Sequence, residues 1–284
     1  MDSAFAAARL GDPIAHSSGM FGFIMGAIVG AVVGIAIVAA TVATGGAALA
    51  VVAAVGGAVA ATGGGALAGM GIGKEYTSVT GAIATGAATV FINNKPAARA
   101  TMAPATLDVA ACSDHQSPQF LAEGSKIVFI EDGAASRKGD RTVCDAKISD
   151  GSPNVFIGTD PGVYRDISPE VPAILQQVAL GMVIAGTAVA LLAGGAAAFA
   201  AGGWCAVGTF GLETGLGMAG GWGGGKLGGA IGEALGGSKG RAWGEAIGGI
   251  LGGIAGGYAG NKLGPRVFRG HPIDVATGEL VTQE

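Results

Sequence analysis

The chain has 284 residues, a net charge of −4 and no basic cluster, which excludes a partner held through nucleic-acid phosphates. Its 56 glycines, 13% charged residues and mean hydropathy of +0.55 exclude an ordinary soluble domain, for which about 7% Gly and about 25% charge are usual. Three cysteines, an odd number, exclude a disulfide-dense secreted scaffold.

Residues 1–19 read as a polar leader. Asp2, Arg9, Asp12 and His16 precede the first apolar run, which is not the layout of a secretory signal peptide. Residues 17–73 carry no charged side chain. Phe21–Ala43 is long enough to cross about 30 Å of hydrocarbon as a helix. After Gly45-Gly46, Ala47–Leu67 is a second apolar run, so residues 20–73 are predicted to form a transmembrane helical hairpin. Gly26, Gly30 and Gly34 recur every four residues, the spacing that lets membrane helices pack closely.

Charges, prolines and asparagines return over residues 74–170, with β-branched triplets between turn residues; this segment is predicted to be a β domain. Residues 171–212 are again free of charge, and Ile174–Phe199 is the best spanning candidate there. A glycine zipper follows, with Gly224, Gly228, Gly232, Gly236 and Gly240, then Gly244, Gly248, Gly252, Gly256 and Gly260. On a helix this spacing draws one Gly ridge. Each Gly costs about 1 kcal/mol relative to Ala, so the ridge calls for a neighbouring backbone packed into it. Lys226, Glu233, Lys239, Arg241 and Glu245 argue against an unassisted deep position in lipid. Residues 171–265 are therefore predicted as a second transmembrane and glycine-zipper region. Residues 266–284 read as the start of a further soluble region. The bland reading of both apolar regions is the buried core of a large soluble protein. Charge-free runs of this length go well beyond the roughly 18 apolar residues that mark a membrane span. The fold class is mixed: a small β domain flanked by two Gly/Ala-rich helical regions.

The middle segment repeats itself. Gly, three residues, then Val-Phe-Ile occurs at Gly86–Ile92, Gly124–Ile130 and Gly151–Ile157. Arg99 and Arg137 fall at the same offset after the first two copies. Hairpin turns are predicted at Asn93-Asn94 and Asp132-Gly133. The leader joins the pattern: Arg9, Gly11, Asp12 and His16 match the offsets of Arg137, Gly139, Asp140 and Cys144. The leader is thus read as a displaced piece of the β unit, with His16 returning beside Cys144. The first repeat departs, with Met102 at the Asp position and Thr106 at the ligand position.

Cys112 and His115 form a C-x-x-H pair, so His16, Cys112, His115 and Cys144 make a four-donor set of the kind that holds structural zinc. A small domain with few large apolar residues needs such a staple. Two other readings stay open here: Cys112 and Cys144 as a disulfide or as inert thiols, and His16 as a turn cap. Asp12 and Asp140 are read as turn-holding or ligand-orienting groups, and Arg9, Arg99 and Arg137 as structural cations.

Val90–Arg99, Val128–Asp140 and Gly151–Gly158 resemble the PAAR domain, and Ala7–His16 resembles the prePAAR motif. Pro272–Leu280 is similar to the opening of Rhs-repeat proteins. The resemblance implies a conical β domain with zinc near its apex, held by His16, Cys112, His115 and Cys144, that caps the trimeric VgrG spike of a type VI secretion system. It implies an Eag-family chaperone that shields the hydrophobic helices in the producer cytoplasm. It further implies insertion of those helices in the inner membrane of a target cell, in aid of a C-terminal toxin, with a Rhs shell and toxin expected beyond residue 284. A competing reading is a resident integral membrane protein, such as a pore or channel subunit, with a zinc-bound soluble domain. An enzyme is not expected: four protein ligands leave a zinc no open position, and no nucleophile–base arrangement is visible.

Overall fold

The computed structural model describes residues 4–43, 48–102, 104–158 and 160–268. The chain divides into two compact units. One combines residues 1–20 with 76–174, and the other combines 21–75 with 175–284. The first is made of short strands and the second of helices, so the fold is mixed.

The β unit is built on a repeated hairpin. Phe91–Ile92 pairs antiparallel with Lys95–Pro96, and Phe129–Ile130 pairs with Gly133–Ala135. The third Val-Phe-Ile copy has no following strand in its own stretch of chain. Phe156–Ile157 pairs instead with Phe5–Ala6 of the leader. The register is the same in all three: Phe91 faces Pro96, Phe129 faces Ala134 and Phe156 faces Ala6. The repeated glycine has a steric reason. A β-carbon at Gly86 would press on Pro96, at Gly124 on Ala134 and at Gly151 on Ala6, the partner residue of each hairpin.

These three hairpins close into a ring. Ala98 donates its amide to the carbonyl of Ala8, Ala8 to Ser136, and Ser136 back to Ala98, each at 2.9 Å. Repeated head-to-tail contacts that return to the start define a closed cyclic arrangement. The leader thereby supplies the third copy of a threefold pseudo-symmetric unit. The two intact turns are at Asn93-Asn94 and Glu131-Asp132, whose four residues all have positive φ. The second turn thus lies one residue earlier than Asp132-Gly133. Gly133 is already strand, where a β-carbon would meet Leu107 and the Arg99 side chain.

A five-stranded sheet extends from the ring. Its order runs Lys147–Ile148, Pro13–Ser17, Thr77–Ile83, Val109–Cys112, Gln119–Phe120. The leader sits second in it, antiparallel to both neighbours. Two small apolar clusters, rich in Ala, fill the interior of the β unit. The largest fully buried side chain there is a charged one, Arg137.

The helical unit contains most of α1 (Gly19–Ala43), with α2 (Ala48–Lys74) and α3 (Ala173–Val267). Three spans, Gly19–Ala43, Ala50–Lys74 and Ala173–Gly264, are long and apolar enough to cross a membrane, by length and composition. α1 and α2 pack antiparallel through small residues. A β-carbon at Gly26 would fall on the carbonyl of Gly65, at Gly30 on that of Ala61, and at Gly34 on Ala58. α3 is broken twice, at Gly202-Gly203 and Gly236-Gly237, where Gly203 (φ 60°) and Gly237 (φ 61°) are left-handed. The second break folds the zipper back on itself. Gly244 meets Gly228, Gly248 meets Gly224, Gly252 meets Gly220 and Gly256 meets Leu216, pairs symmetric about Gly236. The single continuous ridge of the sequence reading is therefore two facing ridges. The backbone that packs into each half is the other half. Residues 270–284, with the Rhs-like Pro272–Leu280, lie outside the described residues.

Candidate metal centre and the ring that carries it

Each copy of the ring carries one buried Arg–carboxylate fork. Arg9 grips Asp12, with its backbone amide at 2.8 Å, Nε at 3.0 Å and Nη2 at 2.9 Å. Arg137 grips Asp140 in the same way, at 2.9, 3.1 and 3.0 Å. Arg99 does so with Asp108, at 2.7, 3.0 and 3.2 Å. Asp108 is the residue that sequence reasoning missed. The first copy has Met102 where the others have Asp, and a longer excursion brings the carboxylate in later. The available signal was simple: Asp108 is the first acidic residue after Arg99.

The remaining guanidinium nitrogen links each copy to the next. Arg9 Nη1 donates to Asn93 Oδ1 in the first hairpin turn, Arg99 Nη1 to Glu131 Oε2 in the second, and Arg137 Nη1 to the Gly158 carbonyl after the third Val-Phe-Ile. The side chains therefore close the same circuit as the backbone. Bidentate forks fix orientation as well as charge, which suits a unit whose apolar core is mostly Ala. Burial pushes the Asp140 carboxyl up, against the pull of Arg137. Glu131, accepting from the Thr89 hydroxyl and the Thr89 and Ala88 amides and facing Arg99, is held down at about 2.

The candidate metal ligands lie on the five-stranded sheet. His16 sits on the leader strand, opposite Ser78, and Cys112 ends the strand Val109–Cys112, opposite Gly81. His115 follows in the next turn, its amide donating to the Cys112 carbonyl at 3.3 Å. His16, Cys112 and His115 each place a donor atom within 4.8 Å of the others. The Cys112 sulfur is 3.8 Å from His16 Nδ1, and the two imidazole centroids are 5.5 Å apart. Thr80 Oγ1 is 2.7 Å from His16 Nδ1, and Asp114 Oδ2 is 3.7 Å away. His16 Nε2 is buried without a partner.

Cys144 is not in that 4.8 Å group. It shares the apolar cluster of Cys112 and lies 3.1 Å from Thr142 Oγ1. Burial pushes its thiol up, and the neighbouring Cys112 adds to the rise. Cys112 and Cys144 are both free thiols, so the disulfide alternative is not realised. Two imidazoles and a thiol with an orphaned, buried ring nitrogen suit a borderline-soft divalent cation. The site is thus a possible His/Cys metal centre.

Two known motifs match this chain. The Class I prePAAR effector Rhs1 motif matches residues 3–65, and the PAAR motif matches residues 72–150. The first supplies His16 and Arg9; the second supplies Cys112, His115 and Cys144. The chain is 35% identical over 170 residues to the double-stranded DNA deaminase toxin A of Burkholderia cenocepacia (strain H111), 59% of this chain and 11% of that toxin. It is 42% identical over 164 residues to the NAD(P)(+) glycohydrolase toxin Tse6 of Pseudomonas aeruginosa, 54% of this chain and 36% of that toxin. It is 39% identical over 90 residues to the probable deoxyribonuclease RhsA of Dickeya dadantii (strain 3937), 32% of this chain and 6% of that protein.

The chain belongs to the prePAAR/PAAR effectors of the Rhs type. It spans about a tenth to a third of the two toxins it matches over the longest stretches. No solved structure matches it significantly. Within this effector the prePAAR motif has a definite structural job: it is the strand, the Arg fork and the histidine that the PAAR segment lacks. The PAAR match ends at residue 150, before the Phe156–Ile157 strand on which the leader pairs.

Proposed function

We propose that this chain is the delivery portion of a type VI secretion effector, acting as a spike cap with attached membrane-entry helices and not as a catalyst. Zinc, as a structural ion, is held by His16, Cys112 and His115, with Cys144 as the fourth donor. The cation pins the leader to the strand Val109–Cys112. The resulting β unit caps a VgrG trimer.

The helical regions expose large apolar side chains such as Phe21, Ile28, Ile35, Leu192, Trp204 and Leu235. In water such surfaces aggregate. An Eag-family chaperone covers them in the producer cytoplasm, and they enter the inner membrane of the target cell after secretion to help a toxin cross. Small residues suit both steps, because Gly-faced helices pack on a protein groove or on each other in lipid.

The observation that carries this reading is the closed ring. A leader separated from the β segment by a long apolar hairpin is kept because it completes a rigid unit. The test is copurification of the whole chain with and without VgrG and the chaperone. The expected result is a soluble complex containing all three, with one zinc per chain. A chain that is monodisperse alone and ignores VgrG would refute it.

A further inference from the structure

Phe91, Phe129 and Phe156 occupy the same position in the three copies of the ring, first residue of the Val-Phe-Ile strand pair and opposite Pro96, Ala134 and Ala6. A buried core position would be the default for a Phe. Here the three rings are 57%, 57% and 59% exposed. The neighbouring Ile92 and Ile157 point inward and are buried at 8% and 7%. The pleat therefore turns one residue of each pair in and the Phe out. Three equivalent aromatic side chains, exposed to the same degree, are not scattered surface hydrophobics. They are one feature repeated by the threefold.

The ring that carries them is cyclic, closed both by the Ala8–Ser136–Ala98 amides and by the Arg9, Arg99 and Arg137 forks. The three Phe consequently stand around one axis. A partner with a single pocket could use only one of them. A homotrimer offers the same pocket three times about its own axis and engages all three at once. Exposed Phe at the centre of an interface is the side chain that contributes most per position, by filling a desolvated pocket.

We infer that Phe91, Phe129 and Phe156 are three equivalent anchors that seat the β unit coaxially on a homotrimeric protein with one apolar pocket per subunit. The inference rests on the spike-cap reading and names the side chains that reading requires. It also gives the leader a second purpose: Ala6 and Phe5 form the strand on which the Phe156 anchor is mounted.

The experiment measures binding of the whole chain, with its chaperone, to purified VgrG trimer. The variants are Phe91→Ser, Phe129→Ser, Phe156→Ser, the triple Ser variant and the triple Phe→Leu variant. The expected result is a loss of about tenfold or more for each single Ser change, similar across the three positions, and no measurable binding for the triple. The triple Leu variant keeps apolar volume and retains binding within about tenfold. Metal content and melting temperature, equal to those of the unsubstituted chain, show that the β unit is intact. Unchanged binding of the triple Ser variant overturns this inference and leaves the spike-cap reading standing. So does a loss confined to one position. Failure of the unsubstituted chain to bind the trimer overturns both. A triple variant that keeps the trimer but loses vesicles of phosphatidylethanolamine and phosphatidylglycerol assigns the three rings to lipid and likewise overturns it.

Discussion

The amide of Ala8 donates to the carbonyl of Ser136 at 2.9 Å, across the whole of the first helical region and most of the β segment. That bond is one side of a triangle whose other sides join Ser136 to Ala98 and Ala98 to Ala8. The leader is consequently part of the β unit's framework, and the long apolar hairpin is an insertion between two of its three copies.

Asp108 is expected to matter as much as Asp12 and Asp140. Its side chain is 1% exposed and holds Arg99. Removing one partner of a buried pair typically costs about 3–5 kcal/mol, because the other charge is left uncompensated. Asp108→Ala should lower stability to a similar extent as Asp140→Ala, while Met102→Ala, at an exposed position, should change it by less than about 0.5 kcal/mol. Denaturant unfolding of the three variants checks the ranking.

The forks also show how far the residues alone could be read. The Gly-x-x-x-Val-Phe-Ile repeats and the matching offsets of Arg9 and Arg137 were visible in the sequence. They carried the idea that the leader belongs with the distant β segment. The partner of Arg99 was hidden, because its copy replaces a three-residue step with a nine-residue one. The pairing of Phe156–Ile157 with Phe5–Ala6 was hidden too, since a hairpin made from two chain ends has no turn to recognise. The Glu131-Asp132 turn was misplaced by one residue because Gly133 looked like the turn glycine. Steric contact with Arg99 and Leu107, rather than a left-handed backbone, is what demands glycine there. The zipper's period was plain, yet its fold at Gly236-Gly237 was not, because those two glycines look like the others on either side.

Glycines in α3 should divide by what faces them. A β-carbon at Gly224 or Gly228 would strike the backbone across the hairpin, whereas at Gly223 or Gly257 it meets nothing within 4 Å. Gly224→Val and Gly228→Val should splay the hairpin. Gly257→Ala should leave it closed and raise helix stability by up to about 1 kcal/mol. Proximity of paired cysteine labels in detergent micelles, read by spin–spin distance, distinguishes the two outcomes.

Acid stability should depend on Glu131. Its carboxyl is held at about 2 in the fold, first by the Thr89 hydroxyl, then by the Thr89 and Ala88 amides, and by Arg99, against an ordinary value of 4.5. A depressed carboxylate stabilises the fold above its unfolded value, and that contribution fades as pH falls from about 4.5 toward about 2. Glu131→Gln should therefore flatten the fall in melting temperature over that window and change little near neutrality beyond a constant offset. Melting curves over about pH 2–7 provide the check.

Metal binding should need the leader histidine. His16→Ala is expected to weaken affinity for zinc by at least about a hundredfold, and Thr80→Ala, which frees His16 Nδ1, by about tenfold. Cys144→Ser separates two arrangements. A large loss makes Cys144 the fourth donor, and a small one leaves that position to another group. Competition with a chromophoric chelator gives all three values.

Amide hydrogen exchange at three residues decides the central point. If the N-terminal segment is an integral third of the threefold unit, the amides of Ala8, Ala98 and Ser136 in the intact chain exchange at one common, slow rate, because each opens only when the whole ring opens. Rapid exchange at Ala8 beside slow exchange at the other two would mean that the segment merely leans on a finished domain, and the account would be wrong.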